Sequence, residues 1–322
     1  MSTFACYPVF GLSRIHVIGC GGTGSRLVPL LAQFLATLPN PETKEILLYD
    51  FDIIEEKNLK RQNFVSIDVG KYKSEVLAAR YSAAFRVPIK AFRTAYAYAH
   101  DPLRVKDIVV MCVDSVEARK QVFLELRNVL RSGAASAWPG ILVLDAGNED
   151  AFGQIAAWTL VGATGLYSQY INRQEDPNTG LVDLEVLPMP LDHYLNLFQG
   201  TSSGPSCADL DQTLAVNAQM GVGLISLLQN WHYRKPVRHN ITYYNLTGTA
   251  AAPALIGKDS FKLWGFESVF DALTYLAARP QDVPISVRKR TYVEPAPAAS
   301  PPKPKRKMEA VEITPGLLET RG

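Results

Sequence analysis

Short continuous apolar runs alternate along this chain with stretches whose apolar residues recur at helical spacing. Ile15-His16-Val17-Ile18, Ile46-Leu47-Leu48-Tyr49 and Ile108-Val109-Val110-Met111-Cys112-Val113 are too short for helices, and they read as strands covered on both faces. Ile89 to Tyr98, Ile141 to Asp145 and Phe152 to Leu160 have the same character. Leu27, Leu30, Leu31, Phe34, Leu35 and Leu38 lie on one face of a helix predicted from Thr23 to Leu38. Pro39 ends that helix, and Pro29 inside it removes one backbone bond and bends it. Further helices are predicted over Lys73 to Phe85 and Val116 to Leu130. Alternation at this spacing predicts an α/β fold: a doubly wound, Rossmann-like, mostly parallel sheet with helices on both faces. Right-handed crossovers then bring the carboxyl ends of the strands to one edge, where such sheets bind ligands.

The later chain is less regular. Gly162 to Gly204 is an irregular crossover segment, with turn-rich Asn172 to Gly180, a short helix near Leu191 to Phe198 and the flexible run Gly200 to Pro205. Long irregular segments inside compact domains are functional or disordered. An apolar helix from Thr213 to Trp231, a strand from Ile241 to Leu246 and a helix from Glu267 to Ala277 follow. Beyond Val293 the Pro-, Ala- and Lys-rich composition predicts a disordered tail, with the basic run Lys303 to Lys307 solvated. The chain divides into a nucleotide-binding domain over 1–160, a segment over 161–292 that completes the same domain, and the tail over 293–322.

With 322 residues and 47% apolar content, the chain is long enough for one large domain. A net charge of +2 gives no global field for nucleic acid. Met1 to Phe10 lacks the basic flank and apolar core of a signal peptide, and no apolar run reaches membrane-spanning length, so a cytoplasmic protein is expected. The four cysteines, Cys6, Cys20, Cys112 and Cys207, form no C-x-x-C pair, which argues against a cysteine zinc site.

The chemistry concentrates between Ile15 and Lys73. The first strand breaks into Gly19-Cys20-Gly21-Gly22-Thr23-Gly24 and turns at once into a helix. Missing side chains let a phosphate approach the main chain, where the free N–H groups of the helix N-terminus attract it. The alternative is tight helix–strand packing with no ligand. Asp50, ending the second strand, is placed to accept ribose hydroxyls. The spacing is G-x-G-G-x-G rather than the dinucleotide G-x-G-x-x-G. Arg61 and Lys73 follow in one polar stretch. A hydride-transfer site has no use for both cations, whereas a triphosphate has, because charge develops on its oxygens as the α–β bond breaks. Lys71 is the rival to Lys73. Asp114, after the third apolar run, is either a helix cap or a ligand for a metal beside the phosphates. Ser115 is able to cap the helix instead, and Arg119 one turn on either pairs with Asp114 or lies on the surface. Arg14, just before the first strand, is expected to be a solvated flank residue.

Together Gly19-Cys20-Gly21-Gly22-Thr23-Gly24, Asp50-Phe51-Asp52, Asn58-Leu59-Lys60-Arg61-Gln62 and a lysine shortly after Gly70 resemble the ThiF/MoeB/HesA adenylyltransferases, the activating enzymes of ubiquitin-like proteins. Within them Pro205-Ser206-Cys207-Ala208 most resembles the ThiF-like members of the PRTRC gene system. The resemblance implies ATP and Mg²⁺ as cofactors, with Gly19, Gly21, Gly22, Gly24, Asp50, Asp52, Asn58, Arg61, Gln62, Lys73, Asp114 and Ser115 around the nucleotide and Asp114 on the metal. It further implies a homodimer, a small ubiquitin-like protein as partner with its C-terminal carboxylate as substrate, a conjugating-enzyme-like acceptor, and a thioester or persulfide on Cys207. Two departures stand out: the zinc-binding cysteine pairs are missing, and no N-terminal helix brings an arginine to a partner's ATP site. Two rival readings are an activating-enzyme fold that only recruits partners and a nicotinamide-dependent oxidoreductase, which leaves Arg61, Lys73 and Asp114 unused.

Overall fold

The structure, a computed structural model, describes residues 4–6, 10–97, 101–132, 141–148, 152–160, 182–184, 214–233, 238–245, 247 and 250–255. Its strands are β1 (Phe4–Cys6), β2 (Arg14–Ile18), β3 (Glu45–Tyr49), β4 (Ile89–Phe92), β5 (Ile108–Met111), β6 (Ile141–Asn148), β7 (Phe152–Leu160), β8 (Val182–Leu184), β9 (His239–Asn245) and β10 (Ala250–Leu255). Its α-helices are α1 (Gly22–Ala36), α2 (Lys73–Phe85), α3 (Val116–Ser132) and α4 (Leu214–His232). Eight strands form one sheet in the order β10-β9-β7-β6-β5-β2-β3-β4, and β1 pairs with β8 separately. The five strands from β6 to β4 run parallel, while β7, β9 and β10 add antiparallel to one side.

The apolar runs behave as a two-sided sheet requires. Ile15, Val17, Ile46, Leu48, Ile108 and Val110 pack with Leu27 and Leu31 of α1, Leu77 of α2 and Leu224 of α4. Their neighbours in sequence, Leu47, Tyr49, Val109 and Met111, pack on the opposite face with Val143 of β6 and with Phe123 and Leu126 of α3. Helices thus cover both faces. The chain builds β2, β3 and β4 in one direction and then returns to lay β5 and β6 on the other side of β2. The switch point lies between β2 and β5.

The antiparallel strand β10 was not foreseen. Its sequence, rich in alanine and containing Pro253, carries little strand propensity, and it forms by pairing with β9 at the sheet edge, where proline is tolerated. The short pair β1–β8 was not foreseen either. The expected helices near 191–198 and 267–277, the crossover segment and the tail from 293 lie outside the described residues. No helix among the described residues is long and apolar enough to cross a membrane.

Pro29 sits inside α1 as expected. It cannot donate to the Ser25 carbonyl one turn earlier. Asn63 takes that place: its Nδ2 donates to Ser25 O at 3.2 Å and to the Tyr81 hydroxyl at 2.8 Å, and its backbone N–H donates to Ser25 Oγ at 3.0 Å.

Arg14 corrects the reading of it as a solvated flank. It is 6% exposed and donates to Asp107 at 3.0 Å and to Asp101 at 2.6 Å. Burial opposes its charge, but the hydrogen bond to Asp101 and the surrounding carboxylates outweigh it and hold the guanidinium pKa up. Asp107 also meets His16 Nε2 at 3.2 Å, and His16 Nδ1 meets the Tyr49 hydroxyl at 3.1 Å. In the neutral ring this fits Nε2–H donating to Asp107 and Nδ1 accepting from Tyr49. Arg14→Met would leave Asp107 buried without its main counter-charge. The expected loss is about 3–5 kcal/mol of unfolding free energy, read from the denaturant midpoint at unchanged m-value.

Candidate functional site

The turn after β2 is shaped by what its glycines avoid. Gly19 has φ +93°, and a β-carbon there would lie 2.7 Å from Cys112 O. A β-carbon on Gly24 would collide with Gly19 O, and one on Gly22 with the Asn217 side chain on α4. Close packing therefore explains these three. Gly21 is different: a β-carbon there would meet only Gln62 Nε2, at 3.9 Å. Gly21 caps α1, and that end has neither a side-chain cap nor an acidic residue in its first turn. Among the described residues no carboxylate accepts from the N–H groups of this helix end.

Asp50 lies under this turn. Its Oδ2 accepts the Cys20 N–H at 2.6 Å and its Oδ1 the Asp52 N–H at 2.8 Å, while its backbone carbonyl accepts the Ser74 hydroxyl at 2.9 Å. The carboxylate expected to face ribose thus straps the turn to the end of β3, leaving one lone pair on each oxygen. Burial raises its pKa against the opposing pull of Lys73 and the two N–H groups. Lys73 opens α2 and is 6% exposed. Its Nζ lies 2.6 Å from Oδ2 of half-exposed Asp52. Lys71 is exposed, so Lys73 is the cation the fold brings to the turn.

The loop between β3 and α2 carries the remaining predicted residues. Asn58 is buried, and its Oδ1 accepts the Glu55 N–H at 2.9 Å, capping a short 3₁₀ helix over Glu56–Lys60. Arg61 follows directly, half-buried, with its N–H on Asn58 O. Gln62 is 4% exposed, and its Oε1 has no hydrogen-bond partner.

Beyond β5, the Cys112 N–H donates to Ile18 O at 2.7 Å, which holds this segment against the start of the turn. Ser115 Oγ accepts the Ala118 N–H at 3.1 Å and so caps α3. Asp114 is exposed and takes no part in the cap. Arg119 does not pair with Asp114: it is buried and donates to both oxygens of Asp145 at 3.1 Å and to Ala146 O at 2.8 Å. Cys20 and Cys112 are buried, and burial pushes both thiol pKa values up, with Asp50 adding to the effect at Cys20 and Asp145 at Cys112. Among the described residues no group of three or more His, Cys, Asp or Glu is placed to hold a metal. Cys207 lies outside the described residues.

Sequence reasoning places Asn217 inside the late apolar helix but gives it no role. It is fully buried on α4, and its Oδ1 accepts from Asn148 Nδ2 at 2.9 Å and from the Thr23 hydroxyl at 3.4 Å. An asparagine inside so apolar a helix was the available signal.

The N-terminus of α1, Asp50 and buried Lys73 thus lie together at the switch point of an α/β sheet, the place where sheets of this class bind ligands. Residues 11–179, just over half of the chain, match the model of the ThiF family, and the chain belongs to that family. No curated protein sequence matches it. Among solved structures, E. coli MccB is similar with a TM-score of 0.50 and 19% identity, over 76% of this chain and 62% of that one. E. coli MccB with ATP gives 0.49 and 20%, over 76% and 63%. PaaA gives 0.47 and 15%, over 76% and 73%. The likeness to MccB is one of fold, and this chain spans less than two thirds of MccB.

The glycine contacts are separable by experiment. Gly22→Ala should cost about 1–3 kcal/mol of stability by overpacking against Asn217. In a double-mutant cycle Asn217→Ala should recover part of that loss. Gly24→Ala, which meets main chain, should show no such recovery.

Proposed function

We propose that this chain is an ATP-dependent adenylyltransferase acting on the C-terminal carboxylate of a ubiquitin-like, or ThiS/MoaD-like, small protein. The observation that carries this reading is the N-terminus of α1 at Gly21, with buried Lys73 at the start of α2 and, by Gly21, buried Gln62, whose Oε1 has no partner. Membership of the ThiF family supports it. A carboxylate oxygen attacks the α-phosphorus, the bond from that phosphorus to the bridging oxygen breaks, and pyrophosphate leaves with the electron pair.

In this reading Gly21 admits the phosphates to the main chain of a turn whose shape Gly19, Gly22 and Gly24 allow, and Asp50 fixes the turn while offering its remaining lone pairs to ribose. Arg61 and Lys73 neutralise phosphate charge. Asp52 positions Lys73 through their ion pair. Asn58 holds the loop that presents Arg61 and Gln62, and Ser115 caps α3 so that Asp114 stays available to Mg²⁺. A single carboxylate suits that ion, which keeps its waters and takes substrate phosphate oxygens for the rest of its shell. Bound there, it would neutralise charge on the leaving phosphates.

The finer parts of the reading rest on resemblance: a homodimer, the place among PRTRC-associated members, and transfer of the acyl group to the Cys207 thiolate with AMP leaving, before any conjugating-enzyme-like acceptor. We read 1–160 and 161–292 as one domain because β9 and β10 join the same sheet and α4 packs against α1.

ATP–pyrophosphate exchange in the presence of the small protein tests the reading. Arg61→Ala and Lys73→Ala should each lose about 2–4 kcal/mol of transition-state stabilisation. Exchange at the wild-type rate in both would overturn the phosphate assignment. Asp114→Asn should weaken nucleotide binding measured calorimetrically with Mg²⁺ and leave Mg²⁺-free binding unchanged; an equal loss in both would make Asp114 structural.

A further inference from the structure

Among the described residues, Arg26 near the turn has no counter-charge. Arg26 lies on the second turn of α1, four residues after Gly22 and so on the same face of the helix. That face meets α4: a β-carbon on Gly221 would lie 3.3 Å from Arg26 Cβ and 3.2 Å from Leu27 N. Glycine at 221 therefore leaves the room in which the Arg26 stem lies. Side chains on a helix lean toward its N-terminus, which for Arg26 is the end at Gly22 and the turn. The residue is half-buried. Its Nε is shut off from solvent and has no hydrogen-bond partner, and no hydrogen bond or ion pair joins Arg26 to another described residue.

A partly desolvated guanidinium without a carboxylate is costly to keep, and an oxyanion recovers that cost through paired N–H donors. A second buried group without a partner belongs to Gln62, whose Nε2 would lie 3.9 Å from a β-carbon on Gly21: its Oε1 is an acceptor with nothing to accept. A ligand satisfying both must present an anionic group toward α4 and a hydroxyl or N–H toward the Gln62 loop. Both are features of a nucleoside phosphate. Asn217, Thr23 and Asn148 make the α4 side of this end polar.

We propose that Arg26 is a phosphate-binding residue of this site, supplied by the chain's own α1 where that helix packs against α4. The proposal rests on the nucleotide reading of the turn and adds a third cation to Arg61 and Lys73. It also offers an arginine from within the subunit.

The test is calorimetry on the full chain with three probes: ATP, inorganic tripolyphosphate and adenosine. Arg26→Met should weaken ATP and tripolyphosphate by about tenfold or more, the size of one lost charge-assisted contact, and leave adenosine unchanged. Arg26→Lys, which keeps the charge and the stem, should lose less. Lys120→Met, which removes an exposed cation on α3, should change none of them. Thermal unfolding of the Arg26 variants confirms that the fold is intact, and Arg26→Lys carries the comparison if Arg26→Met unfolds. Wild-type affinity for tripolyphosphate in the Arg26 variants overturns the proposal, as does failure of the wild type to bind either phosphate probe. Arg26-dependent binding without any pyrophosphate exchange leaves the phosphate site standing and overturns the adenylation reading instead.

Discussion

The site depends on one buried carboxylate. Asp50 accepts the Cys20 N–H with one oxygen and the Asp52 N–H with the other, so a single side chain fixes the turn after β2 to the loop after β3. Burial disfavours its charge, and the two N–H groups and Lys73 are what keep the charge tolerable. The same loop holds Lys73, whose main-chain N–H reaches Asp52 O at 3.0 Å while its ammonium meets the Asp52 side chain. Glycine turn, acidic pair and lysine are therefore one electrostatic unit. Loss of any member unbalances the rest.

Much of the fold was legible because its central strands, β2, β3, β5 and β6, are buried on both faces. Runs such as Ile108 to Met111 leave no choice of exposed face, and α2 begins at Lys73 and ends at Phe85 as its spacing predicts. What composition could not show was pairing made by position alone. Ala250 to Leu255 becomes a strand only because β9 lies beside it, and β7 joins antiparallel although its apolar content resembles that of the parallel strands.

The site was legible as residue types in order but not as partnerships. Arg14 and Arg119 were read as surface or local groups, yet each is buried against carboxylates distant in sequence, Asp107 and Asp145. Asn217 meets Thr23 across 194 positions. No local pattern encodes such contacts, since they follow from which strand ends the topology brings together. Where the bonding was local, as with Ser115 capping α3, the sequence offered the right alternative.

The interrupted ladder of α1 gives the loop after β3 a place to dock. A regular helix would close over the Ser25 carbonyl; with proline at 29 that carbonyl stays open, and Asn63 plugs into it next to Arg61 and Gln62. The helix defect is in effect a socket. A replacement that regularised the helix would set its own amide in competition with Asn63 for one acceptor. A gain in local helix strength would then loosen the loop that carries the site's charges, so rigidity in one element and order in its neighbour trade against each other through a single oxygen atom.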